Sequence, residues 1–458
     1  MVRQMRSDDL ETMLGDPKRA ISRMAIPLIV SFAIIQVNSF ADTAWCSGLG
    51  AEVNSGLTAI SPLYWIVAGL GSGMGVGAST AIARHLAKNR MSDANSTAIH
   101  ALAMVIVMSL AITPLLILSI RPIVEIIGAG DVVEHAYAYM LPMMCMTVFI
   151  VTAETLSGLV RSEGAARRSM IMMASAAVTN IILDPILIYA LDMGATGAGL
   201  ATAISAMVSC IIGLQWYIRG KMVLSLSVKG IRPSRTVAKN ILGVGVPRAT
   251  ETMMINGMSI IERYFVIICA GSFGSALFSI PWNYVTLCCV ISMAIAAAMI
   301  PVCSASLGQN RPEKAKEAFL HGAKLCLIAM VAVDILLFVF ADMFVTPLTM
   351  SESMMAHKSE FVEVLRIYCI FIPFVGMIDL GSAMLQALRK AKISMWSSLL
   401  RNIILISMFA LTCHTTLNTM FLCLALAEII GGLMMLFLAA YIFKEITGIG
   451  IGLHRNHA

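Results

Sequence analysis

From about residue 20 to residue 443 the chain is a succession of about twelve apolar stretches, each of roughly twenty residues or more and separated by short polar turns. As a helix rising about 1.5 Å per residue, each is long enough to cross the roughly 30 Å hydrocarbon core of a bilayer. They fall near 20–46, 53–83, 97–119, 136–160, 167–191, 196–218, 239–269, 276–306, 316–341, 361–388, 393–414 and 418–443. Hydrophobic residues make up 59% of the 458 and charged residues only 13%. A water-soluble domain of this size needs more polar surface than that to cover its core. Lipid offers no partner to an unpaired N–H or C=O, and the period-two alternation of barrel strands is absent, so the spans must be helices. The expected fold is an all-α polytopic membrane protein with twelve transmembrane helices.

Repetition constrains the arrangement further. Leu86-Ala87-Lys88-Asn89-Arg90 recurs as Leu307-Gly308-Gln309-Asn310-Arg311, and His100 as His321, both at an offset of 221. Pro27 recurs as Pro247 at 220, and Asn180-Ile181-Ile182-Leu183 as Asn402-Ile403-Ile404-Leu405 at 222. Six spans per repeat is an even number, so the two halves run parallel as pseudo-symmetric six-helix lobes. The basic connection Arg219 to Lys239 divides them, giving an N-lobe of residues 1–228 and a C-lobe of 229–458. Duplication of this kind suits a transporter, in which two similar bundles rock about a site between them.

Charge sets the orientation. Twenty-five of the 32 Lys and Arg lie in or beside alternate connections, and only Arg121 and Lys358 fall in the other set. The positive-inside rule puts both termini in the cytoplasm of a cell-membrane protein. The net charge of +6 is this loop bias and implies no nucleic-acid partner. The first nineteen residues mix acids and bases without an apolar run, so no cleaved signal peptide is expected. The eleven cysteines lie mostly within spans and lack metal-ligand spacing. Gly71-x-Gly73-x-Gly75-x-Gly77 lies in an apolar span without a Walker lysine, and reads as close helix packing rather than a nucleotide loop.

Ionisable residues within a span are costly and mark a pathway or a paired site. Asp42, Asp184 and Thr202 sit at similar depth, roughly 6–11 Å below the outer boundary counted at about 1.5 Å per residue. Asn180 precedes Asp184 by one turn and shares its face. Pro185 cannot donate a backbone N–H, which frees the carbonyl of Ile181. Together these make an oxygen-rich set suited to a small hard cation such as Na⁺, or to a proton. The repeat breaks here, because Leu405 is followed by Ile406-Ser407 where Leu183 is followed by Asp184-Pro185. Acids that suit an organic substrate are Glu154, Glu262 and Asp379, with a structural role the competing account for Glu154 and Asp379. The aromatics Tyr64, Trp65, Trp282 and Tyr284 can attract an organic cation, and for these packing is the competing account. Arg248 and Glu251, three apart on one helix, read as a local ion pair.

These residues reach a known family. Pro27, Ala41-Asp42-Thr43 before Gly48-Leu49-Gly50, the small-residue second span ending at Arg84–Arg90, Asn180 to Pro185, Gly197 to Thr202 and the repeated Leu307-Gly308-Gln309-Asn310 turn carry the likeness. Across nearly its whole length the chain resembles the multidrug and toxic compound extrusion (MATE) transporters, in their archaeal and DinF-like branch. The resemblance implies that Asp42, Asn180, Asp184 and Thr202 form an N-lobe cation site. It also implies an outward-opening V of two lobes exporting cationic, amphipathic compounds in exchange for Na⁺ or H⁺. In the NorM-like branch coupling acids lie in spans seven and ten, where this chain has Glu262 and Asp379. Pro27 is the expected hinge of span one.

A monomer in contact with lipid, with no cofactor beyond the coupling ion, is expected. The oxygen count tilts the coupling ion towards Na⁺, with H⁺ competing for the same acids. The rival reading is a lipid-linked oligosaccharide or polyisoprenoid flippase of the wider superfamily, which more often carries a cationic cavity. An intramembrane enzyme is set aside, since no paired catalytic signature stands out.

Overall fold

The computed structural model describes residues 2–126, 132–227, 233–348 and 355–451, and among these the regular elements are helices. Helix α1 (Val2–Leu14) precedes the long α2 (Pro17–Ser47), α3 (Ala51–Ala87) and α4 (Met91–Ile126). Next come α5 (Val133–Cys145), α6 (Thr147–Ser162), α7 (Ala166–Pro185), a π-helical turn (Ile186–Ala190) and α8 (Gly194–Ile218). The second half holds α9 (Arg235–Gly271), α10 (Phe273–Gly308) and α11 (Pro312–Val339), of which α9 and α10 are separated by a break at Ala270 and Gly271. It ends with α12 (Ala341–Val345), α13 (Lys358–Cys369), α14 (Ile372–Ala387), α15 (Ala391–Thr412) and α16 (Leu417–Thr447). Eleven helices are long and apolar enough to cross a membrane, and α5 with α6 makes a twelfth as a span bent by 58°. The expected boundary at 228 and 229 lies outside the described residues.

Span four departs from the continuous helix that its composition suggests. It breaks at Met146 (φ −101°, ψ 19°), between α5 and α6 and one turn after Pro142. The matching span of the second repeat breaks at Phe371, ahead of Pro373. The repeat is structural elsewhere too. Asn89 and Asn310, equivalent in sequence, are both left-handed, with φ of 56° and 55°. Asparagine tolerates that conformation at a helix end better than other side-chain-bearing residues.

One end of the bundle gathers the basic connections and is called the basic face. Here the lobes are joined: Arg84 Nη2 donates to the Ala387 carbonyl at 2.6 Å, His321 Nε2 meets Ser22 Oγ at 3.0 Å, and Lys18 pairs with Glu317 at 3.0 Å. Lys314 Nζ donates to the Gly15 carbonyl at 2.8 Å. At the opposite face, the hydrogen bonds of Tyr189 to Trp45, Tyr284 to Phe344 and Asn418 to Glu363 each stay within one lobe. The cross-lobe polar contacts among the described residues therefore gather at the basic face.

Glycines make the close approach possible. A methyl added at Gly73 would lie 2.5 Å from the Gly245 carbonyl oxygen of α9, and one at Gly71 would lie 2.6 Å from the Val151 carbonyl of α6. Alternate glycines of α3 thus serve two neighbours, as expected of small residues on a packed transmembrane helix. The described cysteines are all free.

Candidate functional site

Helices α2, α7 and α8 bring the N-lobe polar residues together. The packing of α2 on α7 and of α7 on α8 follows from their small and apolar faces. Asn180 is 2% exposed and Asp184 fully buried. The Asn180 amide donates to Asp184 Oδ1 at 3.2 Å and to Thr202 Oγ1 at 3.4 Å, joining α7 to α8. Thr202 in turn donates to the Ala198 carbonyl at 3.2 Å. Asp42, on α2, accepts a weak bond from Cys46 Sγ at 3.9 Å. Asp42 and Asp184 lie within electrostatic reach of each other, and no arginine or lysine is among the groups that act on either.

Asp184 Oδ2 is buried without a hydrogen-bond partner among the described residues. Such an atom costs about 1–3 kcal/mol, more if charged, unless a proton or cation satisfies it. Pro185 ends α7, and the chain continues as the π turn, the widening that a missing amide invites. Tyr189 on that turn donates to the Trp45 carbonyl at 2.5 Å and clamps it to the end of α2, beside Asp42. Pro27 is buried inside α2, where Ser31 Oγ donates to its carbonyl at 2.8 Å.

Two tyrosines belong to this cluster, of which sequence reasoning misses Tyr139 and weighs Tyr64 only as an aromatic for an organic cation or for packing. Tyr139 lies within reach of Asp42, Cys46 and Asp184, and Tyr64 within reach of Asp42 and Glu154. Tyr139 sits in α5, the first half of the bent fourth span, and an aromatic in an apolar span carries no local signal that it will face the acids. Glu154 packs against Gly71 of α3, with Arg161 its nearest opposing charge.

The C-lobe acids are arranged differently. Arg248 and Glu251 form the expected pair at 3.1 Å. Glu251 also accepts from Ser382, Ser394 and Ser398 at 2.8–3.3 Å. Arg401 and Glu428, which the sequence left unassigned, pair at 2.7 Å, and Arg401 Nη2 donates to Asn402 Oδ1 at 2.8 Å. Glu262 lies near this pair, acted on by Glu428, Arg401 and Arg263. Trp282 stacks on Phe278 and meets Tyr368 edge-on, so it belongs to the aromatic packing of the lobe. Asp379 accepts from Ser292 at 2.6 Å and lines a cavity of about 110 Å³ between the lobes. N-lobe residues Ser72, Ser79 and Arg161 line its other side.

Spans in two lobes, fastened at one face, with a buried acid pair and its amide and hydroxyl neighbours gathered in the N-lobe, define a two-lobed multi-pass membrane protein. The MatE family matches residues 27–186 and 247–412, one segment in each repeat. The chain belongs to that family. It is 23% identical over 286 residues to the multidrug export protein MepA of Staphylococcus saprophyticus subsp. saprophyticus, a match spanning 62% of this chain and 63% of that one. The chain thus matches under two thirds of that relative's length. A solved outward-facing conformation of a multidrug resistance MATE family transporter of the MOP superfamily superposes with a TM-score of 0.91 at 26% identity, covering 95% of this chain and 98% of that one. A MATE structure in the bent conformation gives 0.88 at 26% identity, covering 96% and 99%.

Proposed function

We propose that this protein is a secondary antiporter that exports small organic compounds, cationic or amphipathic, in exchange for Na⁺ or H⁺ through the cell membrane. Asp42, Asn180, Asp184 and Thr202 hold the coupling ion. The observation that carries the reading is the pair of N-lobe carboxylates with no basic partner, one of which leaves a buried oxygen unbonded. A cation or proton supplied from outside satisfies it, and its binding and release bias the lobes between two states, since a ligand shifts an equilibrium only by its differential affinity.

The basic face is the cytoplasmic one by its loop charge, with both termini inside. Lobes fastened there support an outward-open state, in line with the outward-facing neighbour. Pro27, buried in α2 on the same helix as Asp42, is the hinge through which ion occupancy bends that helix. The family and the export protein MepA support drug-like organic cargo. The oxygen set of two carboxylates, an amide and a hydroxyl favours Na⁺, with H⁺ able to take its place.

The test is reconstitution in proteoliposomes with Na⁺ and pH gradients imposed separately. Substrate accumulation driven by either gradient, and lost in Asp184→Asn, is the expected result. Accumulation indifferent to both gradients would overturn the antiporter reading.

A further inference from the structure

The cavity between the lobes lies in the half of the membrane nearer the basic face, away from the N-lobe acids. It holds opposite charges on different walls. Arg161, near the end of α6, is 9% exposed, and its Nη1 donates to Ser157 Oγ at 2.6 Å and Ser169 Oγ at 3.3 Å. No carboxylate lies within 4.0 Å of it among the described residues; Glu154 acts on it only at longer range. A buried guanidinium without a close carboxylate is costly, and it lines a space open to a ligand. Arg248 stands across the gap on α9 with one amino group committed to Glu251. Asp379, on α14, brings negative charge to the same space.

Two further atoms are unsatisfied there. Ser79 Oγ and Gln386 Oε1, in residues 3% and 1% exposed, have no hydrogen-bond partner among the described residues. Both residues line the cavity, one from each lobe. Gln386 spends its amide nitrogen on Ser382 Oγ at 2.8 Å, which leaves its carbonyl oxygen as an acceptor towards a ligand donor. The walls therefore offer an anion arm (Arg161, Arg248) and a cation arm (Asp379, Gln386). Of the charged residues that line the cavity, Arg161 and Arg248 are basic and Asp379 is acidic, and Glu251 pairs with Arg248 from outside the lining.

We propose that this cavity is a substrate subsite for zwitterions, in which Arg161 receives the carboxylate of an organic molecule and Asp379 its ammonium group. The proposal rests on the transporter reading above but concerns ligand binding, which is measured without any ion gradient. A lone organic cation satisfies Asp379 and leaves Arg161 buried without an anion. A zwitterion satisfies both, and each charged hydrogen bond is stronger than a neutral one.

The test uses three probes that share a fluorophore and chain: Nε-dansyl-lysine, a zwitterion; dansylcadaverine, the same molecule without its carboxylate; and dansyl-aminohexanoate, the same without its α-amino group. Binding to the purified full-length protein in detergent is followed by dansyl fluorescence. The zwitterion is expected to bind about tenfold more tightly than either partner, the worth of one charge-assisted bond. Arg161→Gln should bring Nε-dansyl-lysine down to the level of dansylcadaverine and leave dansylcadaverine itself unchanged. Arg161→Lys should retain part of the preference. Equal binding of zwitterion and cation by the wild type needs no variant to interpret and would overturn the proposal, as would an equal loss of all three probes in Arg161→Gln. Repeating the titration with phosphatidylethanolamine vesicles and then phosphatidylglycerol vesicles as competitors distinguishes a free solute from a lipid headgroup. Displacement by phosphatidylethanolamine alone would assign the site to lipid and overturn the solute reading. If binding behaves as expected while no gradient drives transport, the subsite stands and the antiporter reading fails.

Discussion

The two lobes place acids at related positions and neutralise them in different ways. In the N-lobe, Asn180 gives its amide hydrogens to Asp184 and Thr202, and Asp42 and Asp184 face each other with no base among the groups that act on them. In the C-lobe, Asn402 stands where the repeat places Asn180, and its side-chain oxygen accepts from Arg401. Arg401 in turn binds Glu428 and acts on Glu262, the repeat counterpart of Asp42. The C-lobe carries a guanidinium among these residues, and no arginine or lysine acts on the corresponding N-lobe acids.

The comparison is most directly broken at the N-lobe acids. Asp42→Asn and Asp184→Asn should each abolish gradient-driven transport while leaving insertion and thermal stability at wild-type levels, because each removes a like charge from an unpaired cluster. Transport assays beside thermal unfolding in detergent check both halves of the expectation. Arg401→Ala should do the reverse. It strands Glu428 and Glu262 in the interior and should cost about 3–5 kcal/mol of stability, whereas Arg401→Met with Glu428→Met should recover most of it. A stable Arg401→Ala protein would mean that the C-lobe acids are not held by that arginine.

Asn180→Ala and Thr202→Ala sharpen the picture. Each removes a neutral oxygen and should weaken Na⁺-driven transport by about tenfold, the worth of one such contact, with H⁺-driven transport largely kept. Equal loss with both ions would make them structural. Ile406→Asp should not rescue Asp184→Asn, since the C-lobe frame is already filled by Arg401; growth on drug measures this.

The smallest effect concerns the polar ends. Glu163, buried in the turn after α6, accepts from Tyr217 Oη at 3.0 Å and from the Val223 amide at 2.6 Å, fastening the segment that follows α8. Burial raises its carboxyl to about 7. The folded state therefore holds a proton that the unfolded chain has already lost near its ordinary pKa of 4.5. Stability from this group is complete below that ordinary value and declines as pH rises through about 7. Hydrogen exchange in residues 219–227, corrected for intrinsic rates, should quicken across that window in the wild type and not in Glu163→Gln.

Much of this was legible in the sequence. Run length and the absence of period-two alternation specify helices, and the offset near 221 specifies two lobes. Asp42, Asn180, Asp184 and Thr202 were legible because a charged or amide group in an apolar run stands out by its cost. Tyr139 was not, since an aromatic in a span looks like any packing residue until the fold sets it within reach of Asp42 and Asp184. The Arg401–Glu428 pair escaped for a related reason: 27 residues separate them, and only the packing of α15 on α16 sets them 2.7 Å apart.

The glycine contact between α3 and α9 has a mechanical consequence. At Gly73 and Gly245 the two lobes meet backbone to backbone, so at this point of contact no side chain would have to change rotamer if one lobe rolled over the other. An interface with no rotamers to freeze or release contributes little entropy difference between its two arrangements, and little friction on the way. Such a surface is a bearing. The polar fastenings at the basic face, each made by a flexible side chain, are then the contacts that any parting of the lobes there has to break.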